Sequence, residues 1–347
     1  MKTKKIIIQG IIPFFLTIVL VSCLLWVLGT SPFEVFITLL EGSFGNTDKI
    51  FRTLIITSVI ALASFGLVIT FSGGLWNIGI EGQIIAGAIG ASFVARSAIG
   101  DQSFSPVVEV FLGALMGSIV GILCAVLKAK TNVHEIFAGL ALDFVMAGLV
   151  VYLVIGPWKR EGIASTSGTD VFPVESWLPL FTSYNFPIIP VLLSLFVFII
   201  VLIVLKKTIF GLRLRSFGIN PLAGLKYNIS EQKYIFYSFA FSGGLGGLAG
   251  VVLAAGIYHK LVPSISGGYG FLSILIVLLA ARNPSIVLLV SFMFGALLVG
   301  GSQLQLKLGL HSSLSGIIQA SFVLFWLIIK ALNIEEFISV KIGSKLK

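Results

Sequence analysis

Charge and cysteine are both scarce in this chain of 347 residues. Only 11% of the residues are charged, whereas 57% are hydrophobic and the mean hydropathy is +1.09. This composition excludes an ordinary soluble domain and is typical of a polytopic membrane protein, in which apolar runs of about 20 residues cross the bilayer. The two cysteines, Cys23 and Cys124, lie in separate apolar runs, so we expect buried free thiols instead of a disulfide.

Sequence motifs for catalysis are also missing. The chain contains no G-x-x-x-x-G-K-[ST] motif, no nucleophile elbow and no paired carboxylates. Its three histidines, His134, His259 and His311, are too far apart in sequence to have metal-ligand spacing. We therefore expect a chain that is not an enzyme and that holds no metal or cofactor itself.

The apolar runs predict one all-α integral membrane domain over residues 1–347. The first run follows a basic start and includes Ser22-Cys23, which resembles a lipoprotein cleavage box, but it continues to Leu28. We therefore expect it to be retained as a membrane helix. Segment 267–281 is short and opens with glycines, as a half-span would. The ten predicted membrane segments are 6–29, 50–70, 75–97, 105–127, 133–156, 187–205, 233–257, 267–281, 285–301 and 312–331.

In a membrane protein, the net charge of +9 does not suggest binding to nucleic acid, and the distribution of the positive residues between the two sides indicates the orientation. Ten crossings place both termini on one side, and the positive-inside rule makes that side cytoplasmic. The predicted topology is N-in and C-in. It places 16 of the 23 cations inside, namely Lys2, Lys4, Lys5, Lys128, Lys130, Lys206, Lys207, Arg213, Arg215, Lys226, Lys233, Arg282, Lys330, Lys341, Lys345 and Lys347.

Three connections are long in this layout. Residues 30–49 have the apolar spacing of a short helix lying in the interface, and residues 157–186 form an external loop. Residues 206–232 form the most basic loop, on the cytoplasmic side. This loop is either held near anionic lipid or provides a docking helix for a cytoplasmic partner.

Polar residues inside an apolar stretch mark a candidate solute route. Residues 71–83 read FSGGLWNIGIEGQ, which places glycines, Asn77, Glu81 and Gln83 within the third segment. Polar groups at membrane depth are costly, and broken helices occur there where they line a cavity. As i,i+4 neighbours, Asn77 and Glu81 would share a helix face, with Gln83 supporting it from behind. Glu81 is either a pathway residue or a structural anchor, and Trp76 either packs or stacks against a planar ligand.

Three other polar residues fall within or near the predicted segments. Glu135 stands at a helix start, where an acid suits the helix dipole. Asp143 is deeper and either forms a structural hydrogen bond or lines the path. Gln319, in the last segment, is expected to hydrogen-bond between helices or to belong to the path.

Small residues are spaced for close helix packing. Gly113, Gly117 and Gly121 share one helix face, and residues 243–250 contain two overlapping GxxxG pairs. We expect these faces to pack within one subunit, with a subunit interface or a moving gate as the alternative.

Several motifs in order resemble one family. The chain resembles permease subunits of bacterial ABC importers, in the simple-sugar/nucleoside branch of the branched-chain amino acid/ribose permease family. Asp143 departs from the family, in which Asn usually stands at that place. The matching stretches are FSGGLWNIGIEGQIIAGAIGA (71–91), NVHEIFAGLALDFV (132–145), GLRLRSFGINPLAGLKYNIS (211–230), SGGLGGLAGVVLAAG (242–256), GYGFLSILIVLLAARNP (268–284) and LSGIIQASFVLF (314–325).

The resemblance implies a type II ABC importer-like bundle in the bacterial inner membrane. Its implied partners are a second permease, often a paralogue, a cytoplasmic ATPase that binds ATP and Mg²⁺, and an external solute-binding protein or lipoprotein. The implied substrate is a nucleoside, with simple sugars or a flavin as alternatives. The alternative function outside this family is an ion-coupled secondary transporter. The residues implied to couple to the ATPase are Arg213, Arg215, Gly218, Asn220 and Pro221.

Overall fold

The computed structural model describes residues 2–160, 167–179, 188–220, 230–311 and 313–332, with side chains from residue 12 onward. Within these ranges the chain is helical and contains no β-strand. The helices are α1 (Lys2–Val27), α2 (Pro32–Phe44), α3 (Thr47–Ser72), α4 (Ile80–Ala95), α5 (Ser105–Thr131), α6 (Glu135–Ile155), α7 (Ile188–Lys207), α8 (Ile209–Ile219), α9 (Glu231–Leu253), α10 (Tyr269–Leu279), α11 (Pro284–Leu308) and α12 (Ser313–Ala331).

Seven of the described helices are long and apolar enough to cross a membrane: α3, α5, α6, α7, α9 with the π-helical turn Ala254–Tyr258, α11 and α12. Residues Ile12–Val27 of α1 and helix α2 form a bent pair with an angle of 113°, which makes an eighth span if the pair is counted as one. Helices α4 and α10 are apolar but short, with 16 and 11 residues. The chain is therefore a multi-pass membrane protein, and the expected short helix between residues 30 and 49 is α2.

Local sequence signals account for several helix ends. Pro32 occupies the first position of α2, where its missing N–H costs no hydrogen bond. The hydroxyl of Thr208 accepts a hydrogen bond from the Gly211 backbone at 3.1 Å and so caps the start of α8. Asn132 ends α5 in the left-handed conformation with φ of 55°, which Asn tolerates better than most residues.

The chain divides into two compact units. The first unit comprises residues 1–53 and 293–347, and its described core packs α1, α2, α11 and α12 through apolar residues. Ser43 donates a hydrogen bond to the Ala296 carbonyl at 2.6 Å, which ties α2 to α11 inside this unit. The residues of its core are Val21, Leu25, Val35, Leu39, Leu304, Leu314 and Ile318.

The second unit comprises residues 54–292 and is built around α4, α5 and α9. Its helices meet at glycines. A methyl group on Gly117 would lie 2.7 Å from the Gly247 Cα, and one on Gly90 would lie 3.2 Å from the Gly113 Cα. The expected packing of these glycine faces within one subunit is confirmed. Backbones approach this closely in lipid because dispersion contacts and interhelical hydrogen bonds hold the helices together.

One expectation about the cysteines is wrong. Both are free, and Cys124 is buried, but Cys23 is exposed on α1. Its neighbours Val21 and Leu25 face the core of the first unit, and position 23 turns away from that core.

Candidate transport site

The third predicted segment, 75–97, is not a helix broken in its middle. Its first residues, 75–79, belong to a non-helical stretch between α3 and α4, called the break below. Helix α3 ends at Ser72, residues 73–79 are not helical, and α4 begins only at Ile80. Gly74 has φ of +71°, a conformation that glycine adopts without steric cost. The expected helix face shared by Asn77 and Glu81 is therefore wrong, because Asn77 lies before the helix starts.

Asn77 pairs instead with Gln83, and both side chains are fully buried. The Asn77 Nδ2 atom donates to Gln83 Oε1 at 2.9 Å, and Gln83 Nε2 donates back to Asn77 Oδ1 at 3.1 Å. Asn77 Nδ2 also donates to the Ser242 hydroxyl on α9 at 2.8 Å. This reciprocal amide pair bridges the break and joins it to α9, as buried polar groups require partners.

Glu81 caps the start of the short helix α10. Its Oε1 atom accepts a hydrogen bond from the Gly268 backbone at 2.9 Å, and its Oε2 atom accepts one from Gly270 at 2.7 Å. Glu81 as a whole residue is 7% exposed. Gly270 leaves room for this contact, because a methyl group there would lie 2.8 Å from the Glu81 backbone nitrogen. A negative group at a helix N-terminus satisfies free N–H groups and suits the helix dipole.

Asp143 on α6 caps the start of the short helix α4. Its Oδ1 atom accepts a hydrogen bond from the Gly82 backbone at 2.6 Å, within the first turn of α4. The other oxygen, Oδ2, is buried and has no hydrogen-bond partner in the part of the chain that the structure describes. The starts of α4 and α10 are thus each occupied by a carboxylate of the chain itself.

Glu135 holds the middle of the break. Its Oε1 atom accepts a hydrogen bond from the Trp76 backbone at 3.3 Å, and its Oε2 atom forms an ion pair with Lys128 of α5. The Trp76 side chain is 43% exposed and lies against Phe71, with ring centroids 5.0 Å apart. Glu135 therefore stands at a helix start as expected and also fixes the chain at Trp76.

Gln319 belongs to the first unit, on α12. Its Nε2 atom donates a hydrogen bond to the Phe294 carbonyl of α11 at 3.1 Å, and the side chain is 3% exposed. This contact agrees with the expectation of a hydrogen bond between helices.

The predicted coupling residues fall on α8 and just beyond it. Arg213 and Arg215 are both exposed on α8, and Gly218 lies near its end. Asn220 follows the helix as its C-terminal cap. Pro221 lies outside the described residues, so its predicted role stays a prediction.

Three further polar residues were not singled out from the sequence. Ser242 completes the amide pair, and the Arg282 Nη1 atom donates to the Phe71 carbonyl at 3.2 Å, which caps the end of α3. Glu109 is fully buried on α5 and accepts a hydrogen bond from Ser105 at 3.0 Å. Only the i,i+4 spacing of Ser105 and Glu109 was visible in the sequence as a signal.

The chemistry available here is binding and positioning, because the acids are engaged with backbone N–H groups. Among the described residues, no group of three His, Cys, Asp or Glu side chains could hold a metal ion. The carboxylates of Glu81 and Asp143 instead hold two helix starts next to the break.

Comparison with known proteins identifies the family. A family model described as "branched-chain amino acid transport system / permease component" matches residues 49–331. The chain belongs to this family of ABC transporter permeases. It is 30% identical over 296 residues to the nucleoside ABC transporter permease protein NupC of Lactococcus lactis subsp. cremoris, covering 83% of this chain and 92% of NupC.

Two further relatives differ in their named substrates. The permease is 24% identical over 309 residues to the nucleoside ABC transporter permease protein NupB of the same Lactococcus, covering 86% of this chain and 84% of NupB. It is 28% identical over 303 residues to the glucose ABC transporter permease protein TsgB13 of Haloferax volcanii, covering 84% of this chain and 78% of TsgB13. No solved structure matches the chain.

Proposed function

We propose that this permease is one membrane subunit of an ATP-driven importer of uncharged solutes, with nucleosides as the first candidates. The observation that carries the proposal is the capping of α4 by Asp143 and of α10 by Glu81. In transporters, free N-termini of broken helices point at anionic substrate groups. Here both N-termini are already occupied by carboxyl groups of the chain itself, so the break is suited to a neutral solute.

The relatives support nucleosides and leave sugars as the second candidate. NupC and NupB are both named as nucleoside permeases, whereas TsgB13 is named as a glucose permease. Nucleosides and sugars are both neutral and rich in hydroxyl groups. The half-exposed ring of Trp76 favours the nucleoside, because aromatic side chains stack on bases.

The proposed complex contains a second permease, a cytoplasmic ATPase and an external solute-binding protein or lipoprotein. Two different nucleoside permeases of one Lactococcus both match this chain, which supports a pair of paralogues over a homodimer. The ATPase would bind ATP and Mg²⁺, and this chain would contribute no catalytic residue. The loop 206–232 would meet the ATPase, and Arg213 and Arg215 are exposed on its helix α8.

The proposed topology has about ten membrane-embedded segments with both termini in the cytoplasm of a bacterial cell, in the inner membrane. The cation asymmetry of the sequence supports it. Single cysteines at Ser167 and Ser344, in a background lacking Cys23 and Cys124, give the test in intact cells. We expect an impermeant thiol reagent to label position 167 and not position 344, and the reverse pattern would contradict the topology.

The decisive experiment is uptake by the reconstituted complex. Liposomes containing this permease, its paralogue and the ATPase would be supplied with the external binding protein and radiolabelled guanosine, uridine, ribose or glucose. We expect ATP-dependent, vanadate-sensitive uptake of the nucleosides and no uptake of guanosine monophosphate. Uptake driven by a proton or sodium gradient without ATP would replace the proposal with ion-coupled transport.

A further inference from the structure

Helix α8 has a buried face, which does not include the exposed residues Arg213 and Arg215. Gly211, Leu214 and Phe217 are buried, and Leu214 is fully so. Phe217 packs in an apolar cluster with Leu75, which belongs to the break, and with residues of α5, α6 and α9. An amphipathic helix that only rested on lipid headgroups would leave its apolar face to the lipid. The apolar face of α8 is instead embedded in its own chain.

The closest contact of α8 is with the glycine turn at the end of α3. A methyl group added to Gly218 would lie 2.8 Å from the Gly73 carbonyl carbon and 2.9 Å from the Gly74 nitrogen. One added to Gly73 would lie 2.5 Å from the Leu214 Cδ1 atom. Real Cβ atoms do not come this close to backbone, so two backbones touch here without a side chain between them.

We propose that α8 and the Gly73–Gly74 turn move as one body, which makes Leu214 and Gly218 positioning residues for the break. The inference rests on the proposed function, in which α8 meets the ATPase. A displacement of α8 then shifts the turn directly, because close-packed backbones transmit displacement and do not deform.

The displacement continues through the contacts of the break. The turn is followed by Trp76 and Asn77, which are bound to Glu135, Gln83 and Ser242. The carboxylate of Glu81, the second residue of α4, accepts the hydrogen bonds at the start of α10. Movement of α8 is thereby carried to the starts of both short helices.

A pair of compensating size substitutions at positions 73 and 214 tests the contact. Gly73→Ala inserts a methyl against Leu214, and Leu214→Ala removes the atoms that it meets. In the reconstituted complex supplied with guanosine, we expect Gly73→Ala to lower uptake per ATP hydrolysed by ~5-fold or more, the lower end of ordinary coupling between sites. Gly73→Ala combined with Leu214→Ala should recover most of that loss. A contact of purely structural importance would change the yield and thermal stability of the complex but not uptake per ATP.

Gly148→Ala on α6 is the matched control, because a methyl group there meets no atom within 4 Å. Uptake per ATP equal to the wild type in Gly73→Ala, or no recovery in the double variant, would overturn the inference. A wild-type complex without ATP-dependent uptake would instead contradict the proposed function.

A cross-link keeps the inference testable if Gly73→Ala fails to assemble. Cysteines at positions 73 and 214, in a background lacking Cys23 and Cys124, would be oxidised in the assembled complex. We expect the disulfide to form and uptake to continue, because the joined parts do not separate during transport. Failure to form the disulfide, or loss of uptake that returns on reduction, would overturn the movement as one body.

Discussion

Glu81→Gln is the most direct perturbation of the contacts around the break. The glutamine keeps the size of the side chain, but only one of its two terminal atoms accepts a hydrogen bond. In the wild type both carboxylate oxygens accept, from Gly268 at 2.9 Å and from Gly270 at 2.7 Å. In the variant the amide nitrogen faces one of these backbone N–H groups, so one buried donor loses its acceptor.

The magnitude follows from the contacts that are lost. A hydrogen bond to a charged group contributes ~1.5–3 kcal/mol, and a buried donor without an acceptor costs ~1–3 kcal/mol. Both figures describe the loss of the same hydrogen bond and are not added, so we expect a destabilisation of about 2–3 kcal/mol at the start of α10. Since a domain has ~5–15 kcal/mol of stability, the variant should fold and assemble. Local opening of the α10 start should increase by ~30–150-fold, at ten-fold for each ~1.4 kcal/mol.

Hydrogen exchange, measured by mass spectrometry on the complex in lipid nanodiscs, detects the local opening of the α10 start. We expect faster exchange in peptides that contain Gly268 and Gly270 and unchanged exchange in peptides from the middle of α5. Transport of guanosine by the same preparation should fall. Glu175→Gln, at an exposed acid of the short turn Val174–Ser176, is the control and should change neither quantity.

Two results would contradict this reasoning in different ways. Unchanged exchange at Gly268 and Gly270 together with lost uptake would refute the anchor and favour a pathway charge at Glu81. Unchanged exchange with wild-type uptake would remove both the anchor and the functional charge.

Three further predictions concern single contacts. Asp143→Asn should keep uptake within ~2-fold, because Oδ1 remains an acceptor for Gly82, whereas Asp143→Leu should lower the thermal stability of the complex by ~1–3 kcal/mol. Gln83→Leu removes both hydrogen bonds between Asn77 and Gln83, leaves Asn77 only its bond to Ser242, and should lower stability by a similar amount, with Gln83→Glu as the comparison. Burial lowers the pKa of the His259 imidazole below its usual 6.5, so the neutral form stabilises the folded state, and this contribution is lost as the pH falls below 6.5. His259→Phe, which keeps the stack on Trp177, should flatten thermal stability between pH 7.5 and pH 5.5.

Short-range features of this fold could be predicted from the sequence. The glycine faces of α5 and α9 repeat every fourth residue and do pack together. The glycines of residues 71–83 indicated an interruption of the helix, which the structure has at residues 73–79, and the basic loop does contain a short helix, α8. In each case the signal lies within a few residues, where helix geometry decides the outcome.

Partners separated by long stretches of sequence could not be predicted. Glu81 binds Gly268 and Gly270, which lie 187 and 189 residues further along the chain. Asn77 can bind Gln83 because α4 begins between them, at Ile80. The expected i,i+4 face of Asn77 and Glu81 would have required α4 to begin at or before Asn77. Such pairings follow from the tertiary arrangement, and periodicity carries no information about them.

The burial of the polar residues limits where solute recognition can take place. Of the predicted pathway residues in the second unit, four are nearly or fully buried, with exposures of 0% for Asn77, 7% for Glu81, 0% for Gln83 and 6% for Asp143. Their hydrogen bonds join the break and the start of α4 to α6, α9 and α10. Only Trp76, at 43% exposure, presents a substantial surface. Among these five predicted residues, a direct contact with a solute would therefore have to be made by the Trp76 ring, and its role in the solute route stays a prediction.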